Sequence, residues 1–365
     1  MLTVHNIQTA LDALAPPALA ESWDNVGLLV GDARQAVRTA LIALDASVEV
    51  LEQATAQSAE LLITHHPLVF SGIKRLVDDG GTVALACRLV REGRALLAAH
   101  TNLDAAPDGL NSYVADLLGL RDVRPLLPTE ARALLKLVVY VPETHVDAVR
   151  AAICAAGAGQ IGHYGECTFG APGTGTFRPE EGTHPYLGTA GALERVPEIR
   201  LETVVPTAAL RSVLAALETS HPYEEVAYDL FRLENAWPNA GLGRIGQLAA
   251  PTTAGDFLAT VQAVLGTDRL ALVGERQRPV QRVALCTGAG GDFLDRAWRA
   301  GADLYLTGEV KHHQALVAAQ RGLAVIDAGH FATERPAVAL LADYLAAQLP
   351  ELNIIRAVEC DPLQR

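Results

Sequence analysis

The sequence predicts an α/β protein whose mostly parallel sheet core domain is discontinuous and is interrupted by an inserted ferredoxin-like α+β domain. The first observation is that strand-like and helix-like segments alternate over roughly the first 130 residues and again from residue 282 onward. Such alternation is typical of a parallel sheet with helices on its faces. The second observation is that the middle of the chain has a different order of segments, with many prolines and glycines between residues 157 and 191.

The outer parts of the chain supply the alternating segments. Each strand is a short and almost wholly apolar run, which is typical of strands buried on both faces. In order, we predict a helix over residues 6–15, a strand over 39–45, a helix over 47–57, a strand running into His65, a helix over 82–92, a strand leading to Asp104, strands over 282–286 and 302–306 that flank a helix over 293–300, a helix over 313–320, a strand reaching His330 and a helix over 333–347.

The middle of the chain predicts a smaller domain. In order, its segments are a strand over residues 135–141, a helix over 145–156, strand-like stretches over 166–169 and 175–177, a strand over 200–205, a helix over 207–219 and a strand over 225–233. This repeated βαβ order suggests a ferredoxin-like fold. We therefore expect residues 1–130 and 236–365 to form the discontinuous core and residues 131–235 to form the inserted domain.

Length and composition restrict the class of protein. At 365 residues the chain is too long for one typical domain, and half of its residues are hydrophobic. It has no apolar run of about 18 residues, no signal-peptide pattern at its start and no Cys-x-x-Cys pair among its five cysteines. We therefore expect a cytoplasmic protein with reduced thiols and no membrane association. The net charge of −13 makes nucleic-acid binding an unfavoured function, but bound metal ions would still permit a small anionic substrate.

Three of the predicted strands end in imidazole and carboxylate side chains. His65 and His66 follow one strand, Asp104 follows the next, and His330 and Glu334 follow the last. Open α/β sheets bind their ligands at the carboxyl ends of strands, so we expect these side chains to meet at one edge. His330 and Glu334 are four residues apart, which places both on one face of a helix.

These residue types predict a site for two divalent metal ions. The mixture of nitrogen and oxygen ligands suits Zn, Fe, Mn or Co and disfavours Ca or Mg. The carboxylate of Glu334 can bridge two cations, whereas an imidazole binds one. We expect Glu334 to lie in the first turn of its helix, with Thr333 as the N-cap. Five protein ligands for two ions leave coordination positions for water, which is typical of a catalytic site.

Each motif alone has a simpler explanation. A His-His pair can be a turn feature, Asp104 can be a turn or cap residue, and a His-x-x-x-Glu pair can be a surface ion pair. Their joint placement at three strand ends favours the metal site. The Thr-Gly-Ala-Gly-Gly segment at 287–291 is either a phosphate-binding loop or a tight strand-to-helix turn. His313 is a candidate acid–base group near the same edge, and His100 is expected to support the Asp104 turn.

Five motifs, taken in order, resemble those of the Nif-three-like dinuclear metal proteins, which are also known as GTP cyclohydrolase I type-two homologues. The motifs are Trp23-Asp24-Asn25-Val26-Gly27, Thr64-His65-His66-Pro67, His100-Thr101-Asn102-Leu103-Asp104, Thr307-Gly308-Glu309 and Gly329-His330-Phe331-Ala332-Thr333-Glu334. The resemblance covers nearly the whole chain. The middle segment is similar to the PII/CutA-like domain that is inserted in the longer bacterial members.

The resemblance implies specific roles for the ligands and a specific assembly. His66 and Asp104 would hold one metal ion, His65 and His330 would hold the other, and Glu334 would bridge both. The family assembly implies a homohexamer, a toroid whose metal sites face an inner cavity.

The resemblance also implies a reaction, in which water attacks the guanine imidazole ring of GTP and formate is released. The first functional hypothesis is therefore a metal-dependent hydrolase that acts on a GTP-like nucleotide, with Glu334 orienting the ions and His313 carrying a proton. The second is a non-catalytic metal-binding or regulatory scaffold whose inserted domain senses a ligand. The sequence contains no motif that would read the guanine ring.

Overall fold

Strands and helices alternate along most of the chain in the computed structural model, which describes residues 1–77, 80–129, 134–161, 164–235 and 239–364. The fold is a mixed α/β fold with several sheets. The chain divides into unit 1, formed by Met1–Thr129 with Asn239–Arg365, and unit 2, formed by Glu130–Pro238. The predicted domain boundaries involve residues 130–133 and 236–238, which lie outside the described residues. Within the described ranges, no helix is both long and apolar enough to cross a membrane.

The strands of the described residues are mostly short. In chain order they are β1 (Leu2–Thr3), β2 (Gly27–Val30), β3 (Ala36–Val37), β4 (Thr39–Ala43), β5 (Leu61–Thr64), β6 (Ala95–Ala98), β7 (Arg121–Pro128), β8 (Leu134–Pro142), β9 (Thr168–Phe177), β10 (Glu194–Pro206), β11 (Tyr228–Arg232), β12 (Gly241–Thr253), β13 (Ala271–Val273), β14 (Pro279–Cys286), β15 (Leu304–Thr307), β16 (Ala324–Asp327) and β17 (Asn353–Arg356).

The helices connect these strands and cover the sheets. In chain order they are α1 (Val4–Leu14), α2 (Val48–Ala56), α3 (Thr82–Arg91), α4 (Thr101–Ala105), α5 (Leu110–Leu117), α6 (Val146–Ala155), α7 (Leu210–Ser220), α8 (Ala254–Leu265), α9 (Leu294–Arg299), α10 (His312–Arg321), α11 (His330–Glu334) and α12 (Pro336–Gln348). Short 3₁₀ segments occur at Pro17–Leu19, Glu143–His145, Thr207–Ala209, Gly290–Phe293 and Pro362–Gln364.

The five-stranded sheet of unit 1 has the strand order β17-β4-β5-β6-β2. Strands β17, β4, β5 and β6 run parallel, and β2 pairs antiparallel with β6. Strands β5 and β6 are buried along their whole length, as their continuous apolar sequences require. Their carboxyl ends lie side by side because Thr64 pairs with Ala98. The chain that follows these two ends carries His66 and His100.

The six-stranded sheet of unit 1 has the order β13-β16-β15-β14-β12-β7. Strands β14, β15 and β16 are parallel, whereas β13, β12 and β7 pair antiparallel with their neighbours. The register pairs Cys286 with Thr307 and Thr307 with Asp327. The carboxyl ends of β14, β15 and β16 therefore lie side by side. Helix α11, which carries His330 and Glu334, begins three residues after β16 ends.

Several local features differ from the prediction, and two of them have a clear physical reason. The sequence did not indicate strand β12, because its three glycines in the run GLGRIGQ lower the strand propensity of that segment. The last helix was expected to begin after Thr333 as its N-cap, but α11 already begins at His330 with Gly329 as the N-cap. Gly329 has φ of 84°, a left-handed conformation that glycine adopts without a steric penalty, so the helix can begin earlier.

Unit 2 is a four-stranded antiparallel sheet with the order β11-β8-β10-β9, covered by α6 and α7. In place of the stretches predicted separately at 166–169 and 175–177, the structure has one continuous strand, β9, which begins at Thr168. In β10, Leu201 and Val205 join the core formed with the two helices. Because side chains alternate along a strand, Glu198 and Arg200 lie on the opposite face of the sheet.

Candidate metal centre

His65 and His66 lie where strand β5 ends. The backbone turns directly after the strand, and the hydroxyl of Thr64 donates a hydrogen bond to the His66 carbonyl oxygen at 2.7 Å. An extended strand would point neighbouring side chains to opposite faces. The turn instead brings the two imidazoles together, with their ring centroids 5.2 Å apart.

Glu334 lies at the centre of the cluster. It is the last residue of α11 and is only 4% exposed. The Nε2 atoms of His66 and His330 each lie 2.8 Å from its Oε2 atom. Neither contact has the angles of a hydrogen bond, so Oε2 is buried without a hydrogen-bond partner among the described residues. The three side chains therefore converge as potential ligands of one cation.

A second buried atom, Nε2 of His65, also has no hydrogen-bond partner in the described part of the chain. It lies 3.8 Å from Oδ1 of Asp104 and 3.9 Å from Oε1 of Glu334. Both distances are too long for hydrogen bonds. Two ligand atoms that bind one ion at about 2.1 Å lie ~3 to 4 Å apart, so this spacing suits a shared cation.

The second ring nitrogen, Nδ1, of His65, His66 and His330 contacts an oxygen atom in each case. The Nδ1 atoms contact, in turn, the carbonyl oxygen of Ala99 at 2.8 Å for His65, Oδ1 of Asp45 at 2.8 Å for His66, and Oε1 of Glu309 at 2.7 Å for His330. Metal-ligating histidines usually donate their second N–H to a carbonyl or carboxylate in this way, which fixes the tautomer and the orientation of the ring. The arrangement leaves all three Nε2 atoms facing the region around Glu334.

His100 is a fourth imidazole in the cluster, although the sequence indicated only a supporting role for it. Its Nδ1 atom lies 2.9 Å from Oδ1 of Asp24, and its ring centroid is 5.2 Å from that of His65. The ligand atoms of His65, His66 and His100 also lie close enough together to hold an ion. The strand register could have indicated this position. Thr64 of β5 pairs with Ala98 of β6, so His100 follows β6 at the same distance as His66 follows β5.

Burial and neighbouring charges give the cluster unusual proton affinities. Burial lowers the pKa of His65 to about 3, so this imidazole is neutral. Burial also opposes the charged form of His66, but the adjacent carboxylates outweigh it and raise the pKa to about 10. The contact with Glu334 raises the pKa of His330 to about 9. Burial, reinforced by the charge of Glu334, raises the pKa of Asp104 well above its usual range.

The loop after β14 leaves space for Glu334. A Cβ atom at Gly288, where φ is +62°, would lie only 1.9 Å from Oε1 of Glu334. The backbone N–H of Thr287 donates to Oδ1 of Asn111 at 3.0 Å, and that of Gly288 donates to Oγ1 of Thr333 at 3.0 Å. Because these two donors are used within the protein, the geometry favours a tight turn over a phosphate-binding loop.

The distances group the ligands differently from the division that the family resemblance implies. Nε2 of His65 is near Asp104 and Oε1 of Glu334, whereas His66 and His330 both contact Oε2. The resemblance instead paired His66 with Asp104 and His65 with His330. The two buried orphan atoms belong to a mixed nitrogen and oxygen set, which suits a divalent ion of the Zn, Fe, Mn or Co type.

His313 lies in a different setting from the clustered histidines. It is exposed in the first turn of α10, directly after His312, where that helix begins. Neither residue belongs to the groups of potential metal ligands found among the described residues. The role of His313 as a proton carrier stays a prediction.

Comparisons with known proteins give one consistent result. The family model described as Duf34/NIF3 (NGG1p interacting factor 3) matches residues 2–362. Proteins named GTP cyclohydrolase 1 type 2 homolog from Halalkalibacterium halodurans and Bacillus subtilis are 40% and 38% identical to this chain. These matches cover 90% and 88% of this chain and 89% and 86% of the relatives.

Solved structures agree with the sequence relatives. A Bacillus cereus protein related to NIF3 is 38% identical, with a TM-score of 0.83 over 99% of this chain and 98% of that chain. A Staphylococcus aureus protein is 28% identical, with a TM-score of 0.73 over 100% of this chain and 99% of that one.

Proposed function

This chain belongs to the Duf34/NIF3 family, and on that premise we propose that it is a dinuclear divalent-metal protein and a metal-dependent hydrolase of a GTP-like nucleotide. Family membership confirms the resemblance that the sequence motifs indicated. The proposed ligands are His65, His66, Asp104, His330 and Glu334. The observation that carries the proposal is that the Nε2 atoms of His65, His66 and His330 converge on the buried carboxylate of Glu334, while each Nδ1 atom contacts an oxygen.

In such a site the metal ions and the protein side chains would have different roles. Two divalent ions would acidify water and polarise a substrate oxygen. The chain would hold and orient the ions, because the two oxygens of Glu334 approach different histidines. The division that the distances support is His65 with Asp104 on one side and His66 with His330 on the other. His313 is proposed only as a proton carrier.

A GTP-like substrate is supported by the name that the relatives carry and by two aromatic side chains beside the cluster. The rings of Trp23 and Phe70 lie 6.0 and 5.8 Å from the His100 ring, measured between centroids. Both side chains are more than half exposed, at 60% and 52%. Exposed aromatic faces beside a cationic centre suit a planar base that is linked to phosphates.

The test combines metal analysis with turnover. Metal content per chain and formate release from GTP would be measured for the wild type, Glu334→Gln and His66→Ala, with His312→Ala as a control on an exposed histidine. We expect close to two ions per chain and metal-dependent turnover in the wild type and the control, and loss of both in the two site variants. Equal turnover in wild type and Glu334→Gln would refute the hydrolase. Comparing His313→Ala with His312→Ala tests the proton carrier, since only the former should lower the turnover rate.

The second candidate function is a non-catalytic metal-binding scaffold whose inserted PII/CutA-like domain senses a ligand. The observation that favours it is the βαββαβ order of unit 2 with its β11-β8-β10-β9 sheet, which is the arrangement of ferredoxin-like folds. Metal binding that the site variants abolish, without turnover of GTP in the wild type, would favour this function over the hydrolase.

We also propose a homohexamer and a cytoplasmic location. The hexamer is supported by the family resemblance, and a reducing compartment by the five free cysteines. Light scattering on the metal-loaded protein would test the assembly, and a mass of one or two chains would contradict it.

A further inference from the structure

Unit 2 contains a cavity of about 580 Å³ that is separate in sequence from every proposed metal ligand. Its lining includes Glu198 and Arg200 of β10, on the face of the sheet opposite the helices, and the neighbouring residues of β9. Aromatic side chains, among them Phe177, Tyr186 and Tyr223, also line the cavity. The cavity is large enough for a small organic ligand.

Glu198 is the most unusual residue of the cavity because it is a carboxylate with only 7% exposure. Its Oε1 atom accepts a hydrogen bond from the Tyr223 hydroxyl at 2.8 Å. Within the described residues no donor bonds its Oε2 atom, which is also absent from the fully buried orphan atoms and is therefore reached from the cavity. A buried carboxylate that lacks a positive partner is costly, so its presence indicates that a partner arrives from outside the chain.

Among the described residues that line the cavity, Arg200 is the one cationic side chain, and it is paired with another carboxylate. Nη2 of Arg200 lies 3.1 Å from Oε1 of Glu202, and Nζ of Lys136 lies 3.1 Å from Oε2 of the same carboxylate. Arg200 is therefore shared with an acidic neighbour instead of neutralising Glu198. Glu224 and Glu225 also line the cavity and add negative charge.

The backbone is shaped to admit the Glu198 carboxylate. A Cβ atom at Gly175 would lie 2.0 Å from Oε2 of Glu198, whereas one at Gly173 on the same strand would meet nothing closer than 4.0 Å. Gly175 is thus required for the observed position of the carboxylate, and Gly173 is not. This difference provides a matched pair of variants.

The aromatic side chains that line the cavity favour a cationic ligand. The ring centroid of Tyr223 lies 5.8 Å from that of Phe177 and 6.3 Å from that of Tyr186. Aromatic faces around a buried carboxylate attract an organic cation through both the ring quadrupole and the charge. An anion would be repelled by the glutamates, and a neutral apolar molecule would leave Glu198 without a partner.

We propose that this cavity binds a small organic cation, an amine, amidine or guanidine on a planar or apolar body. The cationic group pairs with Glu198, and the body contacts Phe177, Tyr186 and Tyr223. The site shares no residue with the metal centre, and the proposal does not depend on the proposed hydrolase.

Three probes of one shape and different charge test the proposal on the full-length, metal-loaded protein. They are benzamidine, which is cationic, benzamide, which is neutral, and benzoate, which is anionic. By calorimetry we expect benzamidine to bind at one site per chain and at least tenfold more tightly than benzamide, because only the amidinium forms a charged pair with the carboxylate. Absence of benzamidine binding at millimolar concentration, or equal affinity for benzamide, would overturn the proposal.

Variants then locate the site. Glu198→Gln retains the shape and an acceptor for Tyr223, and Gly175→Ala displaces the carboxylate, so each should weaken benzamidine binding by about tenfold or more. Gly173→Ala should bind as the wild type does. His66→Ala should also retain binding, since the probe would otherwise be occupying the metal centre. Unchanged affinity in both Glu198→Gln and Gly175→Ala, or loss of affinity in His66→Ala, contradicts the assignment. If Glu198→Gln does not fold, the comparison of Gly175→Ala with Gly173→Ala decides.

Discussion

Replacing Gly288 by alanine should remove metal from the protein without unfolding it. The new Cβ would lie 1.9 Å from Oε1 of Glu334, and contacts shorter than 3.0 Å are essentially never observed for Cβ atoms. The carboxylate must therefore move by about 1.1 Å, several times the ~0.2 Å within which metal–ligand distances are held. Because Glu334 is the proposed bridging ligand, we expect affinity for both ions to fall by about a hundredfold or more.

Gly93→Ala is the matched control for this prediction. Gly93 has φ of +65°, against +62° at Gly288, and a Cβ there would meet nothing within 4 Å. Both variants carry the same backbone strain of about 1 kcal/mol, but only Gly288→Ala displaces the carboxylate. Metal affinity would be measured by competition with a chelator, and folding by the thermal midpoint of the stripped proteins. If Gly288→Ala holds two ions as tightly as Gly93→Ala does, the central position assigned to Glu334 is refuted.

Three further predictions follow from contacts around the site. Glu309→Gln removes the carboxylate 2.7 Å from Nδ1 of His330 and should weaken metal binding by about 10- to 100-fold, with an unchanged thermal midpoint of the stripped protein; equal affinity would show that this contact does not matter. In stripped protein the pKa values of His66 and His330 are raised to about 10 and about 9, so both are protonated at neutral pH and an entering metal must displace their protons. Metal binding at neutral pH should release about two protons per chain into a weakly buffered solution, and affinity should rise with pH up to about 10, the pKa of His66; binding without proton release would contradict this. Arg244→Met removes donors to the carbonyl oxygens of Gly241, Gly243 and Ala106 in the core, and denaturant titration should show a loss of about 3 kcal/mol in the free energy of unfolding, whereas a loss below about 1 kcal/mol would contradict the structural role.

The sequence was most informative where local order determines the outcome. Apolar runs such as Leu61–Thr64 form buried parallel strands, and the residues directly after a strand lie at its carboxyl end whatever the remaining topology is. The candidate ligands therefore could be named from their positions after strands. The i, i+4 contact between His330 and Glu334 is equally local and follows from helix geometry alone.

Features that depend on contacts between distant parts of the chain could not be predicted from the sequence. The partner of His66 is Asp45, and that of His100 is Asp24, and no spacing in the sequence marks either carboxylate as an acceptor. The pairing of β17 with β4 joins segments that are far apart in sequence, so no local pattern indicates it. Strand β12 is obscured by its glycines, which are there because the backbones of β7 and β14 approach closely, as the contact of a Cβ at Gly243 with the Leu285 carbonyl oxygen at 2.7 Å shows.

The discontinuity of unit 1 has a consequence for protein synthesis on the ribosome. His65, His66 and Asp104 leave the ribosome early, whereas His330 and Glu334 follow roughly 230 residues later, after the whole of unit 2, a delay on the order of ten to fifty seconds. Strand β17, which completes the edge of the five-stranded sheet, and Glu359, which accepts a hydrogen bond from the backbone N–H of Asp45 at 3.0 Å, are translated later still. A nascent chain therefore exposes three of the five proposed ligands before the carboxylate of Glu334 has been made. The proposed metal loading therefore has to wait until His330 and Glu334 have been translated, and chains that terminate before them cannot form the proposed site.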